Sequence, residues 1–181
     1  MSSVHTLPLH GDSLSQASPW DEIDEAGSGL HIDDFITTVT GLAGNALRRH
    51  VTLPYAEQFG LSVSEWRMLS VLADSRELPF SELVQRSATD KGQVSRTLRL
   101  MEERSLVTLR TEGVIPRKKV LCRITPEGLA LYEQIMPIAR RRQAEMIRQL
   151  SVEERRAIYG ALRRLREMCG STPAQSDDSQ F

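Results

Sequence analysis

Apolar side chains return at helical spacing from Ile32 onward, at Phe35 or Ile36, Val39, Leu42 or Ala43, and Ala46 or Leu47. That pattern predicts a first helix near residues 31–50. Val51–Gly60, which holds Pro54, reads as a connector. Ser62-Val63-Ser64-Glu65 has the form of a capping box, so it opens a second helix with Trp66, Leu69, Leu72 and Ala73 on the apolar side. Pro79 suits the start of a short third helix over Phe80–Arg86. Ser87-Ala88-Thr89 reads as a turn, with Thr89 as the N-cap of a fourth helix, Asp90–Arg104. The period then shortens: Leu106–Thr111 and Lys119–Ile124 are β-branched, apolar-rich runs joined by a loop, which predicts a hairpin. Thr125-Pro126 opens a long fifth helix to about Leu150, with a kink expected at Pro137. Ser151-Val152-Glu153-Glu154 opens a sixth, ending near Cys169-Gly170.

This order gives a mainly α fold: a winged helix-turn-helix with a small β-hairpin wing, plus long helices whose stripes need another surface to cover them. On the fourth helix Val94, Leu98 and Met101 share a core face. The opposite face gathers Gly92, Ser95, Arg96, Arg99 and Glu103, with Lys91 and Gln93 on the flanks. Taken alone this is an ordinary amphipathic surface helix. Between a tight turn and a hairpin it becomes a candidate reader of the DNA major groove. Arg pairs with guanine O6 and N7, Gln with adenine, and Ser and backbone N–H groups with phosphate. Gly92 would let the helix start lie close to the duplex.

Charge sharpens that reading. Residues 1–34 carry seven acidic side chains and no Lys or Arg, and the tail after Gly170 adds Asp177 and Asp178. The body from 35 to 170 therefore holds all 23 basic residues against 15 acidic ones. Much of the excess lies between Arg86 and Arg123, where Lys91, Arg96, Arg99, Arg104, Arg110, Arg117, Lys118 and Lys119 stand among few carboxylates. A basic face of this kind is the footprint of a phosphate-binding surface. Arg117 and Lys118 sit at the hairpin tip, where basic wings meet the backbone or minor groove. Residues 1–29 and 171–181 are polar and aperiodic and read as a disordered acidic leader and a disordered tail.

Other classes find little support. No apolar run approaches the length of a membrane span, and the N-terminus lacks the pattern of a secretory signal. Two cysteines, Cys122 and Cys169, do not make a disulfide framework, so a reducing cytoplasm is expected. Gly11-Asp12-Ser13-Leu14-Ser15 looks like the nucleophile block of GDSL-type hydrolases. It lacks a preceding apolar strand, and no Asp-x-x-His completes a triad, so the chain is not expected to be an enzyme. His5, His10, His31 and His50 are not spaced as metal ligands, and no cofactor fingerprint is present.

Three runs resemble the MarR family, the multiple-antibiotic-resistance-type regulators. They are Phe59-Gly60-Leu61-Ser62 continuing through Glu65-Trp66-Arg67-Met68-Leu69, then Gln93-Val94-Ser95-Arg96-Thr97-Leu98 continuing through Met101-Glu102-Glu103-Arg104-Ser105-Leu106-Val107, and the Arg123-Ile124-Thr125-Pro126-Glu127-Gly128 junction. The similarity extends from about Ile32 to Met168. It departs at Ser105, where the family has a helix-ending Gly, and at Pro116-Arg117-Lys118, where the family often has Asp-Arg-Arg.

The resemblance implies a homodimeric regulator, a repressor by family habit, that binds pseudo-palindromic double-stranded DNA. Residues 61–124 would form the DNA-binding domain, and 30–60 with 125–170 the helical dimerisation region. Thr89, Lys91, Gly92, Gln93, Ser95, Arg96, Arg99, Arg117 and Lys118 are the implied DNA contacts. A small-molecule effector, an aromatic or phenolic acid or its thioester, would release the DNA from a junction that includes Arg48, Arg49, His50, Tyr55, Trp66 and Arg67. An Arg beside aromatic rings suits a carboxylate. The bland alternative makes Trp66 core, Arg67 structurally paired, and Arg48 and His50 solvated. Two competing functions stand beside this one: a winged helix used only for protein contacts, and a thiol-based redox sensor. Neither cysteine lies in the first helix, where the family's thiol sensors carry theirs.

Overall fold

The computed structural model describes residues 17–87, 89–113 and 119–170. The GDSL-like block, the hairpin-tip Arg117 and Lys118, and the tail from Ser171 lie outside them. The chain divides into two compact units at Ala46/Leu47.

In the first unit, residues 17–30 form hydrogen-bonded turns. The Trp20 indole N–H donates to the Asp34 carbonyl at 2.7 Å, and Asp24 accepts the Ser28 N–H at 2.9 Å. That bond holds the Asp24 carboxyl below its usual pKa. A single 3₁₀ turn, Ile32–Asp34, leads to helix α1, Ile36–Leu47, on which no residue is buried.

The second unit opens with a π-type turn, Arg48–Thr52, and helix α2, Leu53–Gln58. The connector expected over Val51–Gly60 is therefore helical for most of its length. Pro54 falls in the first turn of α2, directly after the π-type turn. Val51, Tyr55 and Ala56 are buried, which anchors the segment. Helix α3, Val63–Ser75, has the expected capping box: Ser62 Oγ accepts the Glu65 N–H at 3.2 Å, and Glu65 accepts the Ser62 N–H at 2.8 Å. The other oxygen of Glu65 pairs with Arg104 at 2.8 Å, and Arg104 also donates to the Gly60 carbonyl at 2.9 Å.

A short strand β1, Glu77–Pro79, follows, and helix α4 spans Phe80–Ser87. Pro79 thus ends a strand, where a helix start was expected. It is tolerated because β1 is an edge strand that needs no further N–H donor. Helix α5 is Lys91–Glu103, and strands β2, Val107–Glu112, and β3, Lys119–Ile124, form the hairpin. The antiparallel sheet runs β1-β3-β2, with Cys122 opposite both Leu78 and Leu109. Helix α6, Pro126–Ile147, continues through Pro137, and α7 spans Val152–Gly170. Arg155 donates to the Ile147 and Arg148 carbonyls at 3.0 and 3.1 Å, satisfying the C-terminal end of α6. Ser151 and Glu154 form the second expected capping box.

One core serves this unit. Leu61, Met68, Leu69 and Leu72 from around α3 meet Leu83, Val94, Leu98 and Met101, closed by Val107, Cys122 and Ile124 of the sheet and Ile135 of α6. Within it, α5 is held with one face fully inward.

Candidate nucleic-acid interface

The N-cap of α5 is Asp90, where Thr89 was expected. Asp90 Oδ1 accepts the Gln93 N–H at 2.9 Å, while the Thr89 hydroxyl donates back to the Ser87 carbonyl at 3.1 Å. A carboxylate at this place both caps the helix and meets the positive end of its dipole, so Asp90 takes the role expected of its neighbour. Gly92 gives that cap room: a β-carbon there would stand 3.2 Å from Asp90 Oδ1.

The rotation of α5 follows from its core side. Val94, Leu98 and Met101 are essentially inaccessible, and Thr97 is buried beside them. Lys91, Gly92, Arg96 and Arg99 are therefore exposed, with Gln93 and Ser95 half-buried at the edges. An open cleft of about 660 Å³ runs between α5 and the hairpin. Phe80, Leu98, Leu109 and Val120 form its apolar floor, and Lys91 and Arg99 line it with Gly92 and Ser95.

The basic residues of this region fall into two groups. Arg86 pairs with Asp74 at 2.9 Å, Arg104 with Glu65 at 2.8 Å, Arg123 with Glu77 at 2.7 Å, and Arg110 with Glu112. Among the described residues, no carboxylate forms an ion pair with Lys91, Arg96 or Arg99. Charge counted along the sequence thus overstates the cation supply. Part of it serves the fold, and the remainder concentrates on α5.

Segment 59–114, which covers α5, the α3–α4 pair before it and strand β2, matches the family model described as MarR family. Over this segment the chain is similar to the MarR family. The homoprotocatechuate degradative operon repressor of Escherichia coli is 30% identical over 81 residues, 45% of this chain and 54% of the repressor. The chain thus spans about half the length of that curated relative. The structure of Bordetella bronchiseptica BpsR, whose DNA binding is regulated by 6-hydroxynicotinic acid, is similar with a TM-score of 0.60 at 27% identity. The likeness covers 70% of this chain and 97% of BpsR. A MarR/EmrR family regulator from Acinetobacter sp. ADP1 shares the fold at a TM-score of 0.67 and 24% identity, covering 78% of this chain and 99% of that one.

Of the six residues expected at an effector junction, two are buried and four are exposed. Tyr55 and Trp66 are core side chains in edge-on contact, with ring centroids 5.7 Å apart. Trp66 stacks on its other side against Tyr132 of α6 at 5.8 Å. Arg67 is exposed and donates to the Arg86 carbonyl at 3.3 Å. Arg48, Arg49 and His50 are exposed on the π-type turn. His50 shares a small groove with Val51, Arg142, Glu145, Met146 and Gln149. Tyr132 is the residue that sequence reading missed. Its signal was the inward spacing of Gly128, Tyr132, Ile135 and Ala139 on one long helix, which marks the face but does not name Trp66 as the partner.

Cys122 is buried in the sheet, and burial, with a smaller contribution from the Glu102 charge, pushes its thiol from 9.0 up to about 11. Such a thiol is held protonated and is a poor nucleophile. Cys169 is exposed at the end of α7.

Proposed function

We propose that this chain is a ligand-responsive transcriptional repressor that binds pseudo-palindromic DNA as a homodimer through α5, with the hairpin tip as a second contact. The observation that carries the reading is the state of α5. Lys91, Arg96 and Arg99 stand exposed without carboxylate partners among the described residues, on a helix whose opposite face is locked into the core. Unpaired cations on a rigid, groove-sized helix suit phosphate and base edges. Two copies related by a two-fold axis would meet successive major grooves about 34–36 Å apart. Arg117 and Lys118 complete the proposed contacts at the hairpin tip, and Thr89, Gly92, Gln93 and Ser95 those at the helix start.

For the effector we favour a small aromatic or phenolic acid, or its thioester, acting at the junction of Arg48, Arg49, His50, Tyr55, Trp66 and Arg67. The BpsR likeness and the homoprotocatechuate operon repressor support the ligand class. The Tyr55–Trp66–Tyr132 stack supports the place, because its rings link α2, α3 and α6. A ligand that parts them would shift the helix on which α5 is seated. The burial of Cys122 weighs against a redox sensor.

The test begins with selection of bound sequences from a random duplex pool. Arg96→Ala and Arg99→Ala should abolish binding to the selected sequence and leave the dimer intact. A module built only for protein contacts would select no sequence and show no salt-sensitive DNA binding. Calorimetry with 6-hydroxynicotinate, phenolic acids and their thioesters should then find a binder that lifts the protein off DNA. A panel with none counts against the effector assignment.

A further inference from the structure

We propose that Ser64, which lies outside the DNA-reading helix, sets base specificity at one position of each half-site by holding the side-chain amide of Gln93. The inference rests on the reading of α5 as the helix that enters the groove.

Gln93 is the third residue of α5 and Ser64 the second of α3, 29 positions earlier. The Gln93 amide nitrogen donates to Ser64 Oγ at 2.9 Å, and both side chains are half-buried. Neither end of this link is loose. The Gln93 backbone N–H is taken by Asp90. Ser64 lies inside the capping box of Ser62 and Glu65, and Glu65 is itself tied to Arg104 at the far end of α5. Gln93 is thus fixed at its backbone and at its tip.

The chemistry of that fixation is selective. A free Gln amide offers two N–H donors and one carbonyl acceptor, and can turn over to exchange their places. With one N–H given to Ser64 in the orientation observed, one donor and the carbonyl oxygen remain. Adenine presents N7 as an acceptor and the N6 amino group as a donor in the major groove, which matches this remainder one for one. Guanine presents two acceptors, N7 and O6, and the held amide lacks a second donor for them. In this orientation Gln93 reads adenine and turns guanine away, with Ser64 as the acceptor that holds it so.

Full-length wild type, Ser64→Ala, Ser64→Thr, Gln93→Ala and the Ser64→Ala/Gln93→Ala double variant would each be put through selection from a random duplex pool. Competition with single-base variants of the selected site follows. Wild type should prefer adenine over guanine at one position per half-site by roughly fivefold to a hundredfold, the range of one bidentate contact. Ser64→Ala should lose most of that preference with an unchanged salt dependence, since a neutral hydroxyl releases no counterion. Ser64→Thr, which keeps the hydroxyl, should retain it. In the Gln93→Ala background, Ser64→Ala should change nothing further. A Ser64→Ala protein that keeps its adenine preference, or one whose change persists without Gln93, overturns the proposal. A wild-type protein that selects no sequence overturns the reading of α5 itself, which is a separate and visible failure.

Discussion

Cys122 and Cys169 have the same chemistry and opposite surroundings. Cys122 is central to the sheet, facing Leu78 and Leu109 across two strand pairings, and is inaccessible in the folded unit. Cys169 is exposed. A thiol-specific reagent at pH 8 should therefore modify one thiol at once and the second only in denaturant. Rapid labelling of both would contradict the packing of the sheet. Burial also gives a pH signature. The Cys122 thiol is raised from 9.0 to about 11 in the fold. Between those values the unfolded chain has lost its thiol proton and the folded one has not. Stability from this group is therefore intact below about pH 9 and declines as pH rises toward 11, by at most ~1.4 kcal/mol per unit. The difference in alkaline slope between wild type and Cys122→Ala, read from urea midpoints at pH 8 and pH 10.5, isolates it. Equal slopes would remove the burial argument.

Between elements, the tightest joint lies where α5 ends and α6 begins. Helix α5 closes with Ser105 in the left-handed region at φ 57°, its N–H bonded to the Glu102 carbonyl and that of Leu106 to the Met101 carbonyl, a Schellman end without its usual glycine. Thr125 then donates its hydroxyl to the Ser105 carbonyl at 2.7 Å while capping α6 through the Gly128 N–H at 2.9 Å. Gly128 passes so close that a β-carbon would come within 2.1 Å of the Leu106 carbonyl oxygen. Gly128→Ala should therefore cost roughly 3 kcal/mol or more in urea unfolding, because a backbone atom must move. Ser105→Gly should gain about 1 kcal/mol by relieving the side chain of that conformation. A neutral Gly128→Ala would mean the joint is slack.

Much of this was legible because caps are local. Ser62/Glu65, Thr125/Pro126 and Ser151/Glu154 announce themselves within four residues, and the 3.6-residue period was enough to turn Lys91, Gly92, Arg96 and Arg99 outward. Two neighbouring cap formers, Thr89 and Asp90, could not be ranked from sequence, because the choice depends on where the turn places each side chain. Strand β1 was hidden because three residues carry no period and its pairing partner, Cys122, is more than 40 positions away. The Gln93–Ser64 hydrogen bond and the Trp66–Tyr132 stack join distant segments, so only the fold could show them.

At the scale of the whole molecule, the question is what covers the apolar faces of α1 and α7. Neither α1 nor α7 has a buried residue, yet both carry large apolar side chains. Leu42 is 63% exposed, Tyr159 72%, Leu162 48% and Met168 70%. A helix with a largely exposed apolar face is an incomplete element, and a second copy of the chain is the covering we propose. In a two-fold interface each side chain counts twice. Leu162 is already about half covered, so Leu162→Arg would forfeit roughly 1 kcal/mol of burial per subunit and set two guanidinium groups in an apolar seam, which is costlier still. The winged-helix core does not use Leu162, so the variant should keep its far-ultraviolet circular dichroism and sediment as a monomer at micromolar concentration. Its affinity for a single half-site should match that of wild type, because α5 is untouched. Affinity for the full pseudo-palindrome should fall steeply, because the second half-site is no longer delivered at high effective concentration. A Leu162→Arg protein that sediments like wild type and holds the full site as tightly would show that α7 is not the seam. The apolar face of α1 would then have to supply the two-fold contact that sets the spacing of the two reading helices.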